Sequence, residues 1–382
     1  MRSLLEMRPV YVAGIGLHPY QGASETSYVD LGLAAIREAL ADAGITWAAV
    51  QSAYIGNVTI GMAAGPAMLR YLGTTGLAIA QVENASASGS TAFRQAVMEV
   101  AGGFCDVALA MGVDKPGGPF SSGPAKAGVR GLVDNRVVPF THFALLTQLY
   151  IDQYGATPEQ IAKVAVKNHR NGALNPFAQR RKVRTLEEVM EPPAVSGVLT
   201  RLQCTPVGEG AAAAIVMSED AIARLGVDRS RAIQVIASVA RSEEPSGTLN
   251  IDVAITRKTV HDAYDQCGMQ PSDIDVVELH DAFTIEELLY VQAMGFSEPG
   301  NAVADLERGD YDIGGRVAVS PSGGLIAMGH PLGPTGVGQV AEVTRQLRGE
   351  AGPRQHQNTR VGLAHMVGVG PVCVVHILKR PG

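Results

Sequence analysis

The chain has 382 residues, 46 % of them apolar and 18 % charged, which fits a packed globular protein of roughly two to three domains and argues against disorder. A net charge of −6 and only 5 % aromatic side chains give neither the electrostatic nor the stacking footprint of a nucleic-acid binder. The four Cys, at 105, 204, 267 and 373, form no CxxC pair, no run of eighteen apolar residues occurs, and Met1–Pro9 lacks an apolar signal core; the expectation is a cytoplasmic protein with free thiols, no metal and no membrane span.

Val10-Tyr-Val-Ala-Gly-Ile-Gly16 reads as a buried strand ending in a glycine turn. Gly14 and Gly16 hint at a dinucleotide fingerprint, but its third glycine would fall at Pro19, so that reading is rejected. Ser27 to Ala43 repeats apolar residues at helical spacing and stops at Gly44. Ala53 to Val58 is a short strand, Thr91 to Val100 a helix, and Val107 to Met111 a strand. This alternation implies βαβ crossovers and a mostly parallel sheet.

From about 113 to 230 the rhythm breaks. Gly117 to Pro124 is a loop by composition, and Phe143 to Tyr154 is a helix. Arg180-Arg-Lys-Val-Arg184 reads either as a solvated surface or as a site for an anionic cofactor or substrate tail. Strands return at Ala232–Ala237 and Val276–Leu279, followed by a helix from Thr284 to Met294 and paired strands at Val361–Ala364 and Val372–Ile377.

Two stretches echo each other. Asn84-Ala-Ser-Ala-Ser-Gly89 feeds a helix that is followed by an apolar strand with Met111-Gly112; His330-Pro-Leu-Gly-Pro-Thr-Gly336 feeds the helix Val337–Leu347 and a strand with Met366-Val-Gly368. Two such loops facing one pocket would aim backbone N–H groups and helix dipoles at a developing oxyanion. Ser86 lies in the first loop, as a nucleophile or as part of a helix cap. It is not in a Gly-x-Ser-x-Gly elbow, because Asn84 stands where the first glycine belongs. His280-Asp281 follow a strand, at the edge where open α/β sheets bind ligands; a capping Asp beside a surface His is the plainer account. His330, alone in the glycine-rich run Ser320 to Gly336, is hard to explain as core packing.

These motifs resemble the thiolase superfamily, in particular its sterol-carrier-protein-type thiolases and lipid-transfer-protein-like enzymes. Val82 to Ala92 resembles their nucleophile loop, His280-Asp-Ala-Phe283 their His-Asp-Cys-Phe motif, and Ser322 to Gly336 their Gly-His-Pro loop. Lys167-Asn-His169 with Asn175-Pro176, Gly210-Ala-Ala-Ala-Ala214 and His365 to Gly370 follow in the same order, so the resemblance spans about 8 to 378. It implies an α/β thiolase fold of two similar βαβ-rich halves in α-β-α-β-α layers. The N-terminal half would be 1–112 with 205–230, the C-terminal half 231–382, and 113–204 a loop domain over the site. It also implies a homodimer through the first half.

The departures concern the thiols. The resemblance implies a nucleophilic Cys where this chain has Ser86, and a second catalytic Cys either where it has Ala282 or in the loop that reads Ala364-His-Met-Val-Gly368. A thiol is partly ionised at neutral pH, whereas serine needs a strong base beside it, so the covalent acyl step is weakened. What the resemblance leaves in place is enolate chemistry. His280 and His330 would hold a thioester oxygen, and the N–H groups at Ser86 and Gly368 a second oxyanion, with Asp281 and His365 in support. Each well-aimed donor supplies roughly 3–4 kcal/mol. The reaction expected is aldol or retro-aldol cleavage of a β-hydroxyacyl-CoA, of a steroid or other side chain, with the CoA thioester as substrate and no bound cofactor. The alternatives are an acetyl-CoA acyltransferase using Ser86, or a non-catalytic acyl-CoA-binding subunit. The general base is left open among His280, Asp281, His142 and a lid tyrosine, with His280 favoured because neutral imidazole accepts a proton near pH 7. Relatives in the aldolase group imply a small partner protein with an OB-fold and a zinc ribbon.

Overall fold

The computed structural model describes residues 3–116, 139–245, 250–369 and 371–381; the loop expected at 117–124 lies outside them. The strands are β1 Val10–Gln21, β2 Ser52–Gly56, β3 Ala78–Val82, β4 Val107–Asp114, β5 Ala194–Ser196, β6 Leu199–Thr200, β7 Glu209–Ser218, β8 Ile233–Ser242, β9 Val276–Glu278, β10 Ala318–Val319, β11 Val361–Gly368 and β12 Val372–Lys379. Ten of them form one mixed sheet in the order β10-β9-β11-β12-β8-β1-β7-β4-β2-β3, and β5 and β6 pair separately.

That order is one five-stranded pattern used twice. In the first half β1–β7 and β7–β4 are antiparallel and β4–β2 and β2–β3 parallel. In the second half β8–β12 and β12–β11 are antiparallel and β11–β9 and β9–β10 parallel. The halves join where Tyr11 and Val12 pair antiparallel with Gln234 and Ile233. The helices repeat too: Tyr28–Ala43 follows β1 as Ile251–Cys267 follows β8, and Ser88–Ala101 precedes β4 as Thr335–Arg348 precedes β11.

Three apolar cores separate the layers. Leu31, Ile36 and Leu40 of Tyr28–Ala43 pack on Ile55, Leu109 and Ile215 of the first half-sheet. In the middle, Phe93 and Val97 share a core with Val337, Val340 and Leu347, so the two echoed helices pack as one layer. On the far side Ile255, Val260 and Tyr264 cover Val277, Leu363 and Val375, joined there by Phe143, Tyr150 and Ile161 from the 139–204 region. The result is the expected α-β-α-β-α layering.

Gly14 and Gly16 have a steric purpose. A Cβ at either would overlap the carbonyl of Ala39 or Ala35, so the pair lets Tyr28–Ala43 lie close on β1. Ala211–Ala214, good helix formers on propensity alone, form the fully buried β7 because helices cover both its faces and only small side chains fit. No helix among the described residues is long and apolar enough to cross a membrane.

Candidate active site

The two echoed loops meet. Ser86 sits just before the helix Ser88–Ala101, in a turn where Ala85 takes a positive φ of 47°. Ser88 holds that turn, accepting from the Asn84 N–H at 2.9 Å and donating to the Ala85 carbonyl at 2.6 Å. His330 follows the short helix Gly324–Met328, which Gly329 ends at φ 105°. Ser86 Oγ lies 2.9 Å from His330 Nε2, and His330 Nδ1 lies 2.9 Å from Thr335 Oγ1. Asp114, at the end of β4, accepts from the Gly333 N–H at 2.7 Å and from Thr59 N–H and hydroxyl at 2.7 Å each, tying the His330 loop to the first half. Burial, with the neighbouring His280, keeps the His330 pKa well below that of a free imidazole, so it is neutral.

His280 faces His330 edge-on, with ring centroids 5.3 Å apart. Its Nδ1 lies 2.8 Å from Glu286 Oε1, which also accepts from the Tyr290 hydroxyl at 3.1 Å. Its Nε2 is buried with no hydrogen-bond partner. His365 lies behind it: His365 Nδ1 accepts from the His280 N–H at 3.4 Å, and Nε2 lies 3.0 Å from Thr256 Oγ1. Both ring nitrogens of His365 are thus engaged away from the pocket, and it supports His280. Burial pushes its pKa well down as well.

Gly368 closes β11 against the Ser86 turn. A Cβ there would overlap the Asn84 carbonyl and stand 3.2 Å from Ala87 Cβ, so only glycine allows the approach. Asp281 points elsewhere. Its carboxylate accepts from the Leu325 N–H at 2.7 Å and from Asn168 Nδ2 at 2.6 Å, and Asn168 is held in turn by Lys167, which pairs with Glu287 at 3.1 Å. Burial and the nearby Glu287 raise the Asp281 pKa well above the ordinary carboxylate range. This residue clamps the Gly324–Met328 helix, which sets it apart from the other base candidates. His142 is also elsewhere, 3.3 Å from Asp252, and the tyrosine that reaches the site is Tyr290 of the helix Thr284–Ala293.

All four cysteines are free and buried. Burial pushes the Cys204 and Cys373 thiols up to about 12, so neither is a thiolate at neutral pH. Three cations of the Arg-rich run are engaged by the protein itself, and Arg181 is exposed. Arg180 donates to the carbonyls of Cys204 and Ile326, while Lys182 and Arg184 pair with Glu188 at 2.9 and 3.4 Å. Glu286, Tyr290 and Thr335 were missed from sequence. Only the spacing of Glu286 and Tyr290, six and ten residues after His280 on the next helix, could have flagged the first two.

A duplicated half joined into one ten-stranded sheet, with its two echoed helix-feeding loops meeting, is the architecture of the thiolase fold. The chain belongs to the thiolase family: residues 15–220 match the thiolase N-terminal domain and 239–380 the thiolase C-terminal domain-like family. Sterol carrier protein 2 of Gallus gallus is 37% identical over 395 residues, which cover 98% of this chain and 72% of that protein. Benzoylsuccinyl-CoA thiolase subunit BbsB of Thauera aromatica is 37% identical over 95% of each chain. Among solved structures, the fold matches an Ltp2-ChsH2(DUF35) aldolase with a TM-score of 0.85 at 23% identity, over 97% of this chain and 98% of that one. It matches human mitochondrial 3-ketoacyl-CoA thiolase in complex with CoA with a TM-score of 0.75 at 18% identity, over all of both chains.

Proposed function

We propose that this chain processes acyl-CoA thioesters and cleaves a β-hydroxyacyl-CoA by a retro-aldol step, giving a carbonyl compound and a shorter acyl-CoA. The observation that carries the reading is the pairing of His280 with His330 beside Ser86, where the family resemblance implies a thiol. His330 polarises the thioester carbonyl, and the N–H groups at Ser86 and Gly368 serve as a second oxyanion site. His280 Nε2 takes the substrate hydroxyl proton as the bond between the α- and β-carbons breaks. The electron pair of that bond passes into the thioester enolate, the hydroxyl carbon becomes a carbonyl, and the proton on His280 returns to the α-carbon. No oxidant or second substrate is consumed.

The contact of Ser86 Oγ with His330 Nε2 favours a second reading, an acyltransferase with Ser86 as nucleophile. It ranks lower on physical grounds. The His330 ring is backed by the Thr335 hydroxyl and not by a carboxylate, and burial beside His280 opposes its protonation, so it is a poor base for a hydroxyl. Incubation with a β-hydroxyacyl-CoA, and separately with a β-ketoacyl-CoA plus free CoA, tests the two. Shorter acyl-CoA from the first alone supports the lyase; product from the second, with an acyl adduct on Ser86 by intact mass, rejects it. A small protein partner belongs to the lyase reading, since the aldolase that shares this fold is described with ChsH2(DUF35). Co-expression and pull-down with an OB-fold and zinc-ribbon protein test that part, and so does dependence of the rate on its presence.

A further inference from the structure

Glu286 is a buried carboxylate that contacts neither Ser86 nor His330, yet it sets the state of the histidine between them and the helix Thr284–Ala293. Its Oε2 accepts the Phe283 N–H at 2.9 Å, and its Oε1 meets the Tyr290 hydroxyl at 3.1 Å and His280 Nδ1 at 2.8 Å. A peptide N–H can only donate, and Tyr290 shows no other hydrogen-bond partner among the described residues. The ionised, acceptor-only carboxylate satisfies all three contacts; burial raises its pKa, and the contact with His280 opposes that rise. In that form His280 Nδ1 carries the hydrogen given to Glu286. A neutral imidazole has one N–H, so Nε2 is left as a bare lone pair. That is the ring nitrogen which is buried without a partner.

The second side of His280 is held as firmly. Its backbone N–H donates to His365 Nδ1, so His365 is protonated at Nε2 and donates to Thr256 Oγ1. The Tyr290 ring stands edge-on to His365 at 5.1 Å. One phenol therefore braces both Glu286 and His365. Asp252 is the other carboxylate whose charge reaches Glu286, and it is paired with His142 at 3.3 Å.

We propose that Glu286 is a positioning residue that locks His280 in the Nδ1–H tautomer, making its Nε2 a proton acceptor and balancing the imidazolium once the proton arrives. The two histidines of the site then have different tasks. His280 accepts a proton, and His330, which has only hydroxyls on its nitrogens, presents an N–H to the thioester oxygen. The identity of that proton, the hydroxyl proton of a β-hydroxyacyl-CoA, rests on the retro-aldol reading; the tautomer does not.

The test is ¹⁵N-histidine NMR of the full chain near neutral pH, with the His280 signals assigned through His280→Gln. Wild type should show His280 protonated at Nδ1 and bare at Nε2. In Glu286→Gln the side-chain amide can donate to Nδ1, so the Nε2–H tautomer should appear, and kcat should fall about 100-fold or more, the contribution of a general base, with KM changing much less. Glu286→Asp, which keeps the charge at a longer reach, should recover part of kcat and the wild-type tautomer. Tyr290→Phe should keep the tautomer and lower kcat only a few-fold; it also serves if Glu286→Gln fails to fold. Finding His280 as the Nε2–H tautomer in wild type overturns the inference, as does an unchanged tautomer and kcat in a folded Glu286→Gln. If wild type shows the Nδ1–H tautomer but no β-hydroxyacyl-CoA is cleaved, the positioning role stands and the reaction assignment falls.

Discussion

Ser86 and His330 share one hydrogen bond, but they contribute to the proposed chemistry in different ways. His330 would stabilise charge that develops only in the transition state, so His330→Ala should lower kcat by about 100- to 1,000-fold. Ser86 contributes its backbone N–H, which alanine keeps, so Ser86→Ala should cost tenfold or less (roughly the worth of one hydroxyl contact). Equal and near-complete losses in the two variants, measured under single turnover, would instead mark a covalent relay. A third buried residue reports through pH. Glu278 accepts from the Ser322 N–H at 2.8 Å and hydroxyl at 2.7 Å, and burial, together with nearby Glu342, pushes its pKa up to about 8. The folded state then holds its proton over a range where the unfolded chain, near 4.5, has released it. Stability is lost as pH rises from 4.5 through about 8, because the folded protein must finally ionise a buried group. Glu278→Gln removes that loss. Its Tm advantage over wild type should grow across this window and level off above it; a constant difference by calorimetry would refute the assignment.

At the level of elements, the site depends on how closely the two echoed helices approach. The helix Ser88–Ala101 carries Gly89 against the Gly333 carbonyl, and a Cβ at Gly336 would overlap the Ser90 hydroxyl and stand 2.7 Å from its nitrogen. Helix propensity alone predicts that Gly89→Ala stabilises, by up to about 1 kcal/mol. Here the added methyl would meet the Gly333 carbonyl, and overpacking of this kind costs about 1–3 kcal/mol. Gly89→Ala should therefore destabilise in urea unfolding and should also lower kcat, because the Ser86 and His330 loops are pushed apart. A stabilised variant would show that the loops have slack. Much at this scale was legible. The helix Tyr28–Ala43 ends at Gly44, where the pattern placed its stop, since capping chemistry is local. β3, β7 and β10 were not recognised as strands. β10 has two residues, and β7 is rich in alanine, so neither carries a period that distinguishes strand from helix.

For the whole molecule, the sheet ends at β3, whose residues Ala78–Gln81 are all exposed, Ile79 among them. An exposed apolar edge strand is a template for pairing with another chain. This supports the dimer expected through the first half. Light scattering at micromolar concentration should give twice the chain mass, and an interface burying more than about 2,000 Å² fits an obligate pair. Ile79→Lys should shift the protein toward monomer; a wild-type monomer, or an Ile79→Lys dimer of unchanged affinity, would count against pairing at this edge.

The sequence by itself determined the duplicated α/β architecture and the three loops bearing Ser86, His280 and His330, because strand–helix alternation, caps and glycine-rich turns are written in neighbouring residues. The tertiary structure decided what those residues do to one another. His330 meets Ser86 across 244 positions of chain, His365 backs His280, Asp281 turns away to hold Leu325, and Arg180 and Arg184 are tied to carbonyls and to Glu188. Hydrogen-bond partners and burial depend on which segments the two half-sheets bring together, and no local pattern encodes the partner of a side chain so far away. Glu286 shows the limit most plainly. On its helix it reads as an ordinary acidic residue of the first turn, favourable to the dipole. Only the fold, by burying it and closing Tyr290 and His280 around its carboxylate, makes it the group that fixes a histidine's proton.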